Sequence, residues 1–454
     1  MKKPNIIFFF PDQQRADTLG CYGQPLEISP NLDHLAREGV LFEQAFTPQP
    51  VCGPCRAMFQ SGKWPTETRT HRNGLPLPTN IKTLADYFSE AGYETAYIGK
   101  WHLASERISY EVPPIVDYEK SAVPPERRGG YRDFWRAADV LEETSHGYGG
   151  YVFDENMKKH TFEGYRVDCI TDYALEYLGQ YSGEKPFFMT VSYLEPHQQN
   201  DHQCYEGPDG SKSRFKDFQL PGDLAALGGD AREMYPDYLG CCRSLDDNLG
   251  RIIEKVKEMG IYENTIWVYA SDHGSHFKTR NKDAHMMGCD DYKRSCHSSC
   301  LKVPLVIAGP GFKGGKRVSD LVSTCSLPKT LLAMAGVDAG EQMIGENLKE
   351  VADGQLPDRK NRIFAQISES RLGRCVRTEK YLYSVYAQDS NGWDQASSDV
   401  YVEDFLYDLE KDPNELNNLV CDPKYWTVRK DLAMQLTEEM VKAGEKAPVI
   451  LPWR

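Results

Sequence analysis

Short apolar runs alternate with amphipathic stretches along most of the chain. Residues 6–10, 94–98, 186–193, 265–270 and 303–308 are nearly continuous in apolar and β-branched residues, the signature of strands buried on both faces. Between them, residues 31–38, 81–91, 166–178, 239–259 and 327–335 carry apolar positions at helical spacing. Ser29-Pro30 is a start signal for the first of these helices, and Gly92 and Gly260 are stop signals for two others. Strands alternating with helices predict an α/β core with a mostly parallel sheet. Beyond residue 355 the pattern changes. Residues 363–366, 375–378, 381–386 and 405–408 predict short strands joined by turns, and 430–443 a terminal helix. This predicts a catalytic domain over residues 1–350 and a smaller α+β domain over 351–454, with a soft boundary near 345–360.

The chain has 454 residues and a net charge of −14, which argues against nucleic acid or an anionic membrane as partner. An acidic protein can bind an anionic ester only where a local positive site overcomes that field. The amino-terminal apolar run is five residues long and ends at Pro11-Asp12, shorter than the roughly 7–15 residues of a signal sequence. No stretch reaches the ~18–20 apolar residues of a membrane span. As it stands the sequence predicts a cytoplasmic protein, periplasmic only if a leader was removed. The 13 cysteines are odd in number and irregular in spacing, which argues against a disulfide framework. Oligomeric state is not readable.

In α/β folds ligands sit beyond the carboxyl ends of the strands. Four such ends carry polar groups: Asp12-Gln13, Lys100-Trp101-His102, Glu195-Pro196-His197 and Asp272-His273. Carboxylate, amide and imidazole suit a divalent cation. The densest segment is Cys52-Gly53-Pro54-Cys55-Arg56, trailed by Ser61-Gly62. Cys52 and Cys55 also fit a redox or zinc pair, but no second Cys-x-x-Cys accompanies them.

Read as Cys-x-Pro-x-Arg, that segment resembles the sulfatase signature, in which the cysteine is oxidised to formylglycine. The resemblance extends along the chain, through Pro4-Asn5-Ile6-Ile7 with Pro11-Asp12-Gln13-Gln14-Arg15-Ala16-Asp17, Gly99-Lys100-Trp101-His102, Ser271-Asp272-His273-Gly274, Lys302-Val303-Pro304, and Leu406 to Pro413. Lys293, eleven residues before Pro304, stands at the spacing of the family's sulfate-binding lysine. The resemblance implies an alkaline-phosphatase-like α/β/α sandwich with a smaller carboxy-terminal domain. It implies a sulfuric ester hydrolase whose hydrated aldehyde at residue 52 attacks sulfur and later expels sulfate, splitting one hard step in two. It also implies a metal, Ca²⁺ first and Mn²⁺ or Mg²⁺ as alternatives, held by Asp12, Gln13, Asp272, His273 and residue 52. Arg56, Lys100 and Lys293 would supply positive charge, His102 would serve as base when the aldehyde re-forms, and His197 as general acid for the leaving alcohol. The implied partners are a sulfated small molecule or glycan and a maturation enzyme acting on Cys52.

Two positions depart from the family pattern. Many sulfatases have Asp where this chain has Gln13 and Asn where it has His273. Phosphonate monoester hydrolases share the pairs found here, which leaves phosphonate or phosphodiester substrates open. A non-catalytic glycan-binding relative is disfavoured by intact Cys52, Lys100 and Asp272. The polar segments His71-Arg72-Asn73 and 198–202, the latter including Asn200, predict hydroxyl-binding contacts to a sugar. His297, where many relatives carry an aromatic residue followed by acids, is a further candidate contact.

Overall fold

The computed structural model describes residues 2–108, 112–280 and 292–453. A ten-stranded sheet forms the centre, built in chain order from β1 (Asn5–Phe10), β2 (Val40–Phe46), β3 (Glu94–Lys100), β4 (Phe134–Ala138), β5 (Tyr148–Asp154), β6 (Lys159–Tyr165), β7 (Phe187–Ser192), β8 (Thr265–Ala270), β9 (Leu305–Ala308) and β10 (Lys316–Ser323). Its spatial order is β10-β2-β9-β8-β1-β7-β3-β4-β5-β6. The run β8-β1-β7-β3-β4 is parallel, as the alternating pattern predicts. The flanks are mixed: β10 pairs parallel with β2, β9 is antiparallel to both neighbours, and β4-β5-β6 is an antiparallel meander. β5 and β6 carry glycines and charged residues with partly exposed faces, so no apolar run marks them.

Helices cover both faces. In chain order they are α1 (Pro30–Glu38), α2 (Cys52–Ser61), α3 (Leu84–Glu90), α4 (Arg166–Gln180), α5 (Ala231–Glu258) and α6 (Leu327–Met334). Side chains along β1 point alternately to the two faces. Ile6, Phe8 and Phe10 join the core made with α2, α3 and α6, whereas Ile7 and Phe9 join the core made with α1, α4 and α5. Each fully buried residue of that kind is worth about 1.5–3 kcal/mol. Burial on both faces explains why β1 reads as an unbroken apolar run.

Element boundaries moved where local chemistry overrides the apolar pattern. The helix predicted over 81–91 starts at Leu84, because Thr83 and Asp86 form a reciprocal capping box there. The helix predicted from 239 starts at Ala231 and runs through Pro236, since Ala231, Tyr235 and Tyr238 pack into a buried cluster. The strand predicted from 303 starts after Pro304, which has no N–H to donate.

A second sheet follows: β11 (Arg362–Ile367), β12 (Gly373–Thr378), β13 (Tyr381–Tyr386), β14 (Val400–Asp408) and β15 (Val449–Leu451). Helix α7 (Trp426–Lys442) packs on it through Leu432, Leu436 and Met440. The opposite face meets the first unit through Phe46, Leu301 and Leu321 against Ile363, Ala365 and Phe405. Among the described residues, no helix is long and apolar enough to cross a membrane.

Candidate active site

All four polar strand ends meet at one edge of the parallel run. Cys52 is the first residue of α2, after extended Val51, so its side chain sits at the positive end of the helix. It is fully buried. Its Sγ lies 3.1 Å from Lys293 Nζ, 3.2 Å from His273 Nε2 and 3.6 Å from Asp12 Oδ1. Burial opposes charge on the sulfur, but Lys100, Lys293 and His273, with a hydrogen bond from His102, hold its pKa well below that of an ordinary thiol. Cys55 is the reverse case: buried near Asp272, its pKa is raised. Both cysteines are free, and only residue 52 is activated.

Asp12, Asp272, His273 and residue 52 offer ligand atoms within 4.8 Å of one another. Asp272 Oδ1 accepts the backbone N–H groups of Gln13 and His273. Its Oδ2 has no hydrogen bond and lies 3.3 Å from Arg56 Nη2. His273 Nδ1 donates to Gly274 O, so that Nε2 faces Sγ and, at 3.5 Å, Asp12 Oδ1; burial opposes charge on the ring, but Asp272 and Cys52 raise its pKa. A ring oriented by a backbone acceptor is the usual state of a metal-binding histidine. Gln13 sits at φ 64°, with Oε1 accepting from Gln198 N and Nε2 buried without a partner. Burial and the nearby Asp12 raise the Asp272 pKa. Two buried carboxylates beside a half-satisfied amide and an open imidazole nitrogen suit a divalent cation, which would relieve that repulsion.

A basic ring surrounds these acids. Lys100 Nζ is 2.9 Å from Asp12 Oδ2 and 3.2 Å from Glu142 Oε2, all three side chains buried. Burial opposes the Lys100 charge, but Asp12, Cys52 and Glu142 together raise its pKa. Arg56 donates from Nη1 to Lys100 O and Ser192 Oγ and from Nη2 to Asp12 Oδ2. His197 Nδ1 bonds Gln198 O, and its Nε2 lies 2.7 Å from Lys293 Nζ. His102 has φ 60°. The loop it begins is held by Asp139, whose carboxylate accepts the N–H groups of Leu103, Ala104 and Ser105. His102, His197, Lys293, Asn200 and Glu142 line one cavity of about 190 Å³.

The family model described as sulfatase matches residues 4–337, and one described as N-sulphoglucosamine sulphohydrolase, C-terminal, matches residues 289–442. The chain belongs to the sulfatase family. An ulvan-active sulfatase of Formosa agariphila is 29% identical over 98% of this chain and 82% of its own. An N-acetylglucosamine-6-O-sulfatase of Bacteroides thetaiotaomicron is 26% identical over 97% of this chain and 87% of its own. The solved structure of BT4656 in complex with its substrate D-glucosamine-2-N,6-O-disulfate superposes with a TM-score of 0.75 at 22% identity, covering 98% of each chain. The fold is the alkaline-phosphatase-like sandwich with its smaller carboxy-terminal sheet, and the protein is a sulfuric ester hydrolase.

In this sulfatase the predicted substrate contacts separate. Asn200 lines the cavity. Arg72 does not: it donates to the carbonyls of Trp393, Asn73 and Arg107 and stacks 4.3 Å from the Trp393 ring. His71 is buried beside it, and burial plus the Arg72 charge push its pKa down to about 4. His297 is buried between Phe405 and Tyr407, with its nitrogens on Ser295 Oγ and Tyr407 OH. All three lie where the two units pack. Sequence reasoning missed Glu142 and Asp139; Asn73, expected in a sugar-binding segment, lines the cavity and also has a structural part. Asn73 Oδ1 accepts the Gly53 N–H, its own N–H goes to Glu369, and Glu369 pairs with Arg294. These bonds tie the first turn of α2 to the loop between β11 and β12. Nothing local marks Glu142, whereas Asp139 at the end of an apolar strand was findable.

Proposed function

We propose that this sulfatase cleaves a sulfate ester carried on a carbohydrate, with a formylglycine made from Cys52 as nucleophile. The metal we assign is one divalent cation, calcium first and Mn²⁺ or Mg²⁺ as competitors, held by Asp12, Gln13, Asp272, His273 and residue 52. The observation that carries the reading is the Cys52 side chain at a helix start, inside a ring of buried Lys100, Lys293 and His273 with half-buried His102. The bound cation and the hydrated aldehyde together would supply a nucleophilic oxygen, charge neutralisation on sulfate, and release of sulfate as the aldehyde re-forms.

The protein's own residues do the rest. Lys293 sits beside the nucleophile and takes a sulfate oxygen. Lys100 and Arg56 hold Asp12 in place and keep the field positive. His197, beside Lys293 on the cavity wall, gives a proton to the leaving alcohol oxygen. His102, bonded to residue 52, accepts the proton lost when the aldehyde re-forms. The cavity wall adds Asn73, Ser105, Arg107, Glu119 and Asn200, groups that bond sugar hydroxyls. Relatives named for ulvan and for N-acetylglucosamine point the same way.

The test has two arms. In protein made with a maturation enzyme, the peptide containing residue 52 loses about 18 Da relative to the thiol, the mass of the covalent change; an unmodified thiol in active protein rejects the nucleophile. Against a panel of sulfated monosaccharides, an aryl sulfate and a phosphonate monoester, the sugars are desulfated fastest. Activity confined to the phosphonate would instead favour the second reading, a phosphonate monoester hydrolase, which Gln13 and His273, in place of the Asp and Asn of many sulfatases, allow.

A further inference from the structure

A second group of ligand-type side chains stands apart from the buried site. His146 precedes β5, and Asp201 and His202 occupy the loop after β7. That loop is closed by the Gln199 N–H to Cys204 O bond. The two imidazole rings are parallel within 8° and stacked with centroids 4.4 Å apart. Both Nε2 atoms face the same carboxylate oxygen, Asp201 Oδ2, at 2.9 Å from His146 and 4.0 Å from His202. The three ligand atoms lie within 4.8 Å of one another. All three residues are exposed.

This arrangement differs from a surface ion pair in one respect. His202 Nδ1 is already committed to Glu206 Oε1, and Glu206 is itself fixed, with Oε2 accepting the Gly147 N–H and its carbonyl accepting the Tyr165 hydroxyl. A carboxylate on the far nitrogen fixes the tautomer and aims the Nε2 lone pair, the outer-shell arrangement of metal-bound histidines. Two imidazoliums stacked in parallel would repel, while a neutral His146 donates Nε2–H to Asp201 Oδ2 and a neutral His202 with Nδ1 on Glu206 turns an unprotonated Nε2 towards the same oxygen. A cation shared by the three atoms takes the place of the His146 proton and removes the repulsion between the rings. Two imidazoles and one carboxylate suit a borderline ion such as Zn²⁺ rather than Ca²⁺ or Mg²⁺.

We propose that His146, His202 and Asp201 form a second metal site, for Zn²⁺ or a similar first-row transition ion, with an open position towards solvent. It lies beside the substrate cavity. Asp201 follows Asn200 of the cavity wall, and Gln199 Nε2 bonds both Asp201 Oδ1 and the carbonyl of Glu142. A bound ion pins the 199–206 loop to the turn before β5 and places positive charge at the rim of an acidic protein, where a second anionic group of a polyanionic substrate would arrive.

The proposal does not depend on the reaction assigned to the buried site, and its test is direct zinc binding. Metal-stripped full-length protein is titrated with ZnCl₂ by calorimetry at neutral pH, with bound zinc counted by elemental analysis. Wild type is expected to bind one equivalent more than His146→Gln/His202→Gln, and zinc should raise its melting temperature but not that of the double variant. Asp12→Asn/Asp272→Asn, with the buried site impaired, should keep the rim equivalent. Binding should weaken as pH falls through the histidine range, because protons compete for both Nε2 atoms. Matching circular dichroism in chelator checks that the histidine variant is folded; should it fail to fold, Asp201→Asn takes its place. Equal stoichiometry in wild type and variant, or no saturation of the rim site by about 1 mM zinc, overturns the proposal.

Discussion

Replacing Lys100 by Met tests the electrostatic account of the site most directly. Its Nζ stands 2.9 Å from Asp12 Oδ2 and 3.2 Å from Glu142 Oε2 with no exposure on any of the three beyond 7%. At an effective dielectric of about 20, charges about 3 Å apart interact by roughly 5–6 kcal/mol. Desolvation of the ammonium offsets part of that, and removing one partner of a buried pair costs about 3–5 kcal/mol in practice. Most of that loss belongs to Glu142, because Asp12 keeps Arg56 while Glu142 has no second cation bonded to it among the described residues. Lys100→Met should therefore lower stability by that amount, and Lys100→Met/Glu142→Gln should regain about half of it or more. Activity should behave differently. Loss of a preorganised charge beside the nucleophile costs about 10²–10³ in kcat, and the second substitution restores none of it. The assays are denaturant unfolding followed by circular dichroism, and initial rates on a sulfate ester that wild type turns over. If the double variant recovers wild-type kcat, or the single variant keeps kcat within about threefold, the charge of Lys100 is structural and the reasoning fails.

Other consequences are sharper for being local. Burial disfavours the Glu142 carboxylate, but Lys100 holds its pKa down from 4.5 to about 2; such a group stabilises the fold fully above pH 4.5 and loses its contribution as pH falls towards 2, so Glu142→Gln should flatten wild-type acid unfolding in that window. Burial lowers the His71 pKa from 6.5 to about 4, so its share of stability is likewise present above pH 6.5 and lost on the way to 4, and His71→Gln should reduce the slope there. Asp139 is a positioning residue: Asp139→Ala should lower kcat about tenfold or more with little change in KM, since three backbone N–H groups behind His102 lose their acceptor, and Asp139→Asn should recover part of it; a change confined to KM would contradict this role. Glu369→Ala leaves buried Arg294 and the Asn73 N–H without that carboxylate, so stability should fall by about 3–5 kcal/mol and kcat should fall with it, because Asn73 caps the start of α2; an unchanged melting temperature would refute the link.

How much of this was legible before folding depends on how far apart the interacting groups lie. The buried strands β1, β3, β7 and β8 announce themselves as apolar runs, because burial on both faces removes polar alternation. The polar residues just after those strands were then candidate ligands, and Cys52 with Arg56 stood out through local spacing. Strands β5 and β6 were invisible, since their faces are half exposed and their register comes from pairing with neighbours. At the site, the sequence alone determined which residue types could do the chemistry and roughly where along the chain they sit. It left open their company. The positions of Glu142 under Lys100 and Asp139 behind His102 are contacts across tens of residues, and the Asn73–Glu369 hydrogen bond joins residues 296 positions apart. The same holds for His71, Arg72 and His297, whose polar character suggested a sugar but which each meet a residue of the second unit, at Ser368, Trp393 and Tyr407. Side-chain identity is written locally, whereas hydrogen-bond satisfaction and charge pairing are settled only when distant segments meet in a medium without water.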